Sequence, residues 1–138
     1  MTAREGQFTI GLGCDRGVAL DTVREAVQAA LALAGARPEQ VAMAASITLK
    51  QDEAALLALA QEQAWPLVFY APETLAQVPV PNPSETVRKY TGTPSVSEAA
   101  ALLAAGPAAP SSALVVEKHK HRGADGRHAT VSIARKEG

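Results

Sequence analysis

The chain has one cysteine, Cys14, and only three histidines, His119, His121 and His128. A lone cysteine excludes an internal disulfide, and beside these histidines it completes no closed zinc site, so no metal is expected. Aromatic residues make up only 4% of the sequence. That is too few for the stacking platforms of a single-strand nucleic-acid binder, and no nucleic-acid reader motif is present. No apolar run approaches the roughly 20 residues that cross a bilayer. The opening Met1–Gly6 lacks the apolar stretch of a secretory signal. The expectation is a cytoplasmic protein with neither a membrane nor a nucleic-acid partner.

What is present suffices for one core. In 138 residues, 47% are hydrophobic, which predicts a single domain over residues 1–138 that folds without a partner. The net charge of −1 conceals an asymmetry: residues 1–115 carry 7 basic and 11 acidic side chains, residues 116–138 carry 6 and 3. Positive potential concentrated near one end attracts anionic ligands.

Hydrophobic periodicity divides the chain. Phe8, Ile10 and Leu12 alternate, as in a core strand running into a Gly-rich turn. Leu20, Val23, Val27, Ala30, Leu31 and Ala34 recur at helical spacing and stop at Gly35. Val41–Ile47 and Pro66–Tyr70 read as further strands, and Ala54–Ala64 as a helix headed by the acidic caps Asp52 and Glu53. Pro72–Ala76 reads as a helical turn and Ser84–Tyr90 as a short helix. Ser95 with Glu98 fits a capping box at the head of a helix ended by Gly106. Ser112–Lys118 and His128–Arg135 pair as an antiparallel hairpin around Gly123–Gly126, with the charged run Lys118–Arg122 at its tip. Strands separated by helices predict an α/β fold of three layers: a mainly parallel sheet made mixed by the C-terminal hairpin, with helices on both faces.

Several segments carry chemistry. Gly11, Gly13 and Gly17 follow the first strand, but they are spaced one residue too long for a dinucleotide fingerprint, and no acidic residue closes the second strand. No cofactor is therefore expected. A tight turn with anion-binding amides at Gly13 and a cation at Arg16 is the better reading. Cys14 beside Arg16 is a candidate thiolate nucleophile or a small residue filling a turn. Lys50 ends the second strand at the sheet's carboxyl edge, where open α/β sheets bind ligands. Pro79, Pro81 and Pro83 stiffen an arm presenting Asn82 and Ser84. Thr93 and Ser95 stand at a helix start suited to a carboxylate or phosphate.

These pieces in this order resemble the CobE family, which is similar to the C-terminal domain of CbiG. The resemblance rests on Ile10–Gly17, on Ser46–Glu53 with Lys50, on Val80-Pro-Asn-Pro-Ser84, on Gly92-Thr-Pro-Ser-Val-Ser-Glu-Ala-Ala100, and on the stretch from Lys118 to Ala129–Arg135. It implies a role in assembling the corrin ring of vitamin B12, on a precorrin or corrinoid small molecule. CbiG-type proteins are associated with opening the δ-lactone of a cobalt-precorrin-5A and losing a two-carbon unit. Corrin precursors carry many acetate and propionate carboxylates, which call for several cations and amide-lined anion sites.

The ligand-binding residues expected are Gly13, Arg16, Lys50, Asn82, Ser84, Thr93, Ser95 and Lys118, in a groove at one edge of the sheet. Three functions fit: a binder or carrier of a corrinoid intermediate, a lactone-opening enzyme with Cys14, Asp15 or Glu98 as candidate catalytic groups, or a module docking on another enzyme of the pathway.

Overall fold

The computed structural model describes residues 7–93, 95–106 and 109–136. The chain runs β1 (Phe8–Cys14), α1 (Leu20–Ala34), β2 (Val41–Ile47), α2 (Ala54–Gln63), β3 (Leu67–Tyr70), α3 (Pro72–Ala76), α4 (Glu85–Thr91), α5 (Val96–Ala105), β4 (Leu114–Arg122) and β5 (His128–Arg135). The strands form one sheet in the order β3-β2-β1-β5-β4. β1 pairs parallel with β2, and β2 with β3, while β5 runs antiparallel to both its neighbours, β1 and β4. Four strands therefore share one direction and β5 opposes them, giving the expected mixed α/β sheet.

Alternation along β1 assigns the two faces. Phe8, Ile10 and Leu12 join Val23 and Val27 of α1, Leu56 and Leu59 of α2 and Val131 and Ile133 of β5 in the larger core cluster. The opposite face carries Thr9, whose hydroxyl donates to the Ala101 carbonyl of α5 at 2.8 Å, and Gly11. On that side α5 presses so close that a Cβ on Gly11 would lie 1.8 Å from the Ser97 carbonyl oxygen. Ala99, Ala100 and Ala101 are fully buried, and small side chains of this kind let a helix lie directly on a strand. Leu75 of α3 and Ile47 of β2 complete that layer.

Four local expectations are corrected. β1 continues through Cys14, so Gly11 and Gly13 are strand residues and the turn begins later, at Asp15–Gly17. Glu53 is the N-cap residue of α2 but makes no capping bond, and Asp52 lies one residue outside; both carboxylates turn instead to Arg16, because a guanidinium offers a stronger partner than one backbone amide. No capping box forms at α5, since Ser95 makes no side-chain cap and Glu98 bonds Asn82. Lys118–Arg122 is not the hairpin tip: β4 extends through Arg122, so the run lies on an edge strand, where charged side chains discourage further pairing.

The head of α1 has no cap from its own residues. Asp125, in the β4–β5 turn, supplies it: one carboxylate oxygen accepts from the Ala19 amide at 2.8 Å and the other from the Thr22 hydroxyl at 2.8 Å. The C-terminal hairpin is thereby tied to the first helix. None of the helices of the described residues is long and apolar enough to cross a membrane.

Candidate functional site

A cavity of about 610 Å³ lies at the carboxyl ends of β1 and β2. Its floor takes Gly13 and Cys14 from β1, Ile47 from β2 and Thr130 from β5; Val96 and Ser97 open α5 on one side, and Val87 and Tyr90 of α4 form the facing wall. The position follows from topology. After β3 the chain crosses through α3, α4 and α5 to the far edge, so the winding reverses beside β1, where open α/β sheets leave a crevice. The volume falls within the range of small-molecule sites.

Among the described residues four cations line it, Arg16, Lys50, Lys118 and Lys120, against one carboxylate, Asp15. Arg16 is already engaged: its Nη1 lies 2.9 Å from Asp52 and 3.3 Å from Glu53, and its Nη2 donates to the Leu49 carbonyl. Hydrogen bonding to Arg16 holds the Asp52 carboxyl below its ordinary range. Arg16 thus ties the β1–α1 turn to the head of α2. Lys118 Nζ donates to the Asn82 carbonyl at 3.2 Å. Lys50 and Lys120 line the cavity and make no ion pair within 4.0 Å among the described residues.

The sequence candidates separate into two groups. Gly13, Arg16, Lys50, Ser84 and Lys118 lie on the cavity wall, although the Ser84 hydroxyl also caps α4 by accepting from the Val87 amide at 3.2 Å. Asn82, Thr93 and Ser95 do not. Asn82 instead clamps the proline arm to α5: its backbone amide and side-chain amide donate to the two oxygens of Glu98 at 3.2 and 2.7 Å, and the side-chain amide also reaches Glu117 at 3.0 Å. Thr93 and Ser95 flank the head of α5 with fully buried hydroxyls that find no partner among the described residues.

The catalytic candidates fare differently from their expected roles. Desolvation dominates at Cys14 and pushes its thiol up to about 12, because the nearby cations are outweighed by burial and by Glu53 and Asp15. A thiol raised in this way stays protonated near neutral pH, which speaks against the thiolate nucleophile of the two readings of Cys14. Glu98 is fully buried behind the wall. Asp15 meets a partner that the sequence did not reveal. The β1–β5 register sets Cys14 opposite Ala129, which brings His128 to Asp15: one carboxylate oxygen accepts from the His128 amide at 2.7 Å and lies 3.2 Å from Nδ1. His128, Lys120 and Tyr90 are cavity residues that were not among the ligand-binding residues expected from the sequence. For Lys120 the alternation with Lys118 along an extended run was the available signal. For His128 there was none, because strand order decides its neighbour. The described residues contain no cluster of His, Cys, Asp and Glu able to hold a metal ion.

Comparison with known proteins identifies the family. The family model for the cobalamin synthesis G C-terminus matches residues 8–134. Protein CobE of Sinorhizobium sp is 39% identical over 129 residues, covering 92% of this chain and 79% of that protein. The cobalt-precorrin-5A hydrolase of Priestia megaterium is 38% identical over 99 residues, covering 72% of this chain. The match spans only 26% of the hydrolase's length. A crystal structure of CobE, a protein from the cobalamin (vitamin B12) biosynthetic pathway, superposes with a TM-score of 0.76 at 31% identity over 95% of this chain and 91% of that one. The five-stranded mixed sheet and the signature segments around its carboxyl edge thus have one explanation: the chain belongs to the cobalamin-biosynthesis family of CobE and the CbiG C-terminal domain.

Proposed function

We propose that the chain, acting as one cytoplasmic domain, binds a precorrin or corrinoid intermediate in the cavity at the carboxyl edge of the sheet and serves as a binder or carrier. One observation carries the reading: Lys50, Lys118 and Lys120 line, from two different elements, an apolar-floored cavity whose only lining acid among the described residues is Asp15. A polycarboxylate macrocycle offers rim charges for those ammonium groups and an apolar body for Ile47, Val87 and Val96. Gly13, Arg16 and Ser84 border the same space, Arg16 by shaping the turn.

Burial pushes the Cys14 thiol up to about 12, which favours binding over turnover through a cysteine nucleophile. A precorrin titrated by absorbance into the unaltered chain and into Lys50→Ala and Lys118→Ala tests the site. Weaker binding by both variants supports it, and unchanged affinity removes those lysines from it.

A second reading has its own observation. In the Priestia megaterium hydrolase the matching segment is one quarter of a longer chain, so this fold also occurs joined to further sequence. Docking on another enzyme of the pathway, with the ligand passed between them, is the corresponding proposal, and co-purification that persists without ligand distinguishes it.

A further inference from the structure

Tyr90 is 75% exposed, more than any other large hydrophobic side chain among the described residues. A surface tyrosine on a short helix is ordinarily just solvated, but this one lies on the cavity wall, as do Thr86 and Val87 of the same helix. The helix that carries it is weakly held. No residue of α4 is buried, and only Val87 packs against the core. It hangs between the proline arm, fixed through Asn82 to Glu98, and Gly92, whose φ of 81° is the left-handed conformation that ends it. An element with few buried contacts and defined ends is the kind that opens and closes over a site.

The lysines recognise charge and are indifferent to the shape that carries it. A linear polyanion would satisfy them and leave the Tyr90 ring in water. A flat conjugated ring would cover it, because aromatic faces attract one another in offset stacks. We infer that Tyr90 is the stacking face of the site and that α4 closes as a strap over a flat, conjugated macrocycle whose rim carboxylates point to Lys118 and Lys120. This rests on the cavity being the binding site proposed above.

The test uses two probes: uroporphyrin I, which is flat, conjugated and edged with carboxylates, and mellitate, which has six carboxylates and no macrocycle. Each is titrated into the unaltered chain and into Tyr90→Phe, Tyr90→Leu and Tyr90→Ala, with circular dichroism to verify the fold. The expected result for uroporphyrin is affinity within about twofold for Phe and roughly tenfold weaker for Leu and Ala, with mellitate affinity equal in all four. Hydrogen exchange at residues 85–91 slows when uroporphyrin binds the unaltered chain and does not slow in Tyr90→Ala. Equal uroporphyrin affinity for Leu and Phe, or a loss of mellitate binding in Tyr90→Ala, overturns the stacking role; unchanged exchange overturns the strap. Failure of the unaltered chain to bind uroporphyrin while a precorrin still binds overturns the stacking inference alone, and failure to bind a precorrin as well overturns the cavity reading itself.

Discussion

Asn82 spends its backbone amide and its side-chain amide on one buried carboxylate, that of Glu98, at 3.2 and 2.7 Å. The pair fastens the proline arm to the first turn of α5, and the arm in turn positions Ser84 and α4 on the cavity wall. Replacing Asn82 with alanine leaves Glu98 short of a donor in a buried setting, which costs about 1–3 kcal/mol. Asn82→Asp destabilises more at pH 7, because it sets a third carboxylate against Glu98 and Glu117. Urea unfolding of the two variants measures both effects, and a stable Asn82→Asp protein contradicts the clamp.

Gly11→Ala tests the packing of α5 on β1. The added Cβ meets backbone atoms, the Ser97 carbonyl oxygen at 1.8 Å and the Ala101 nitrogen at 2.7 Å, and no side chain is free to swing aside. The helix must lift as a body, so a loss of about 3 kcal/mol or more is expected. Gly35→Ala is the control: its Cβ would meet nothing, and its cost comes only from the left-handed φ of 65°.

The Asp125 cap gives stability a pH dependence of known sign. The Ala19 amide, then the Thr22 hydroxyl and the Arg127 amide, hold its carboxyl below the ordinary value of 3.8. A lowered folded pKa means that its contribution is complete above about 3.8 and is lost as pH falls through the folded value. Asp125→Ala therefore melts below the unaltered chain at pH 7, and the difference narrows in acid below pH 3.8. A gap that stays constant with pH contradicts the role of the charge.

Cys14 is expected to be inert. With its thiol pushed up to about 12 by burial, alkylation by iodoacetamide at pH 7.5 proceeds far more slowly than for a free thiol, whose ordinary value here is 9.0. Labelling followed by mass shows this directly. Rapid modification at neutral pH restores the nucleophile reading.

Much of the fold was legible in the sequence, because periodicity and turn chemistry are local. The Gly35 stop, the strand at Val41–Ile47 and the Ser84 helix start all follow from neighbouring residues. The errors arise where a distant partner outcompetes a local one. Glu53 and Glu98 had the spacing of caps, yet Arg16 and Asn82 claimed them. Asp125 caps a helix more than a hundred residues away in sequence. His128 reached the site only through the insertion of β5 between β1 and β4, an order that no local pattern encodes. Gly13 near the end of β1 and Arg16 in the turn after it were legible from local pattern, whereas Lys50, expected to end the second strand, lies three residues past β2 in the turn that follows, and Lys118 lies within β4.

A carrier holds its corrinoid intermediate in the cavity without transforming it. The most direct measurement mixes the purified chain with successive precorrins of the pathway and follows the absorbance spectrum and the ligand mass together. One of them is expected to shift its spectrum at a stoichiometric ratio, keep its mass, and lose the shift when Lys50, Lys118 and Lys120 are replaced by alanine. A ligand whose mass changes in the presence of the chain alone, or a spectral shift that survives the loss of all three lysines, contradicts this reading.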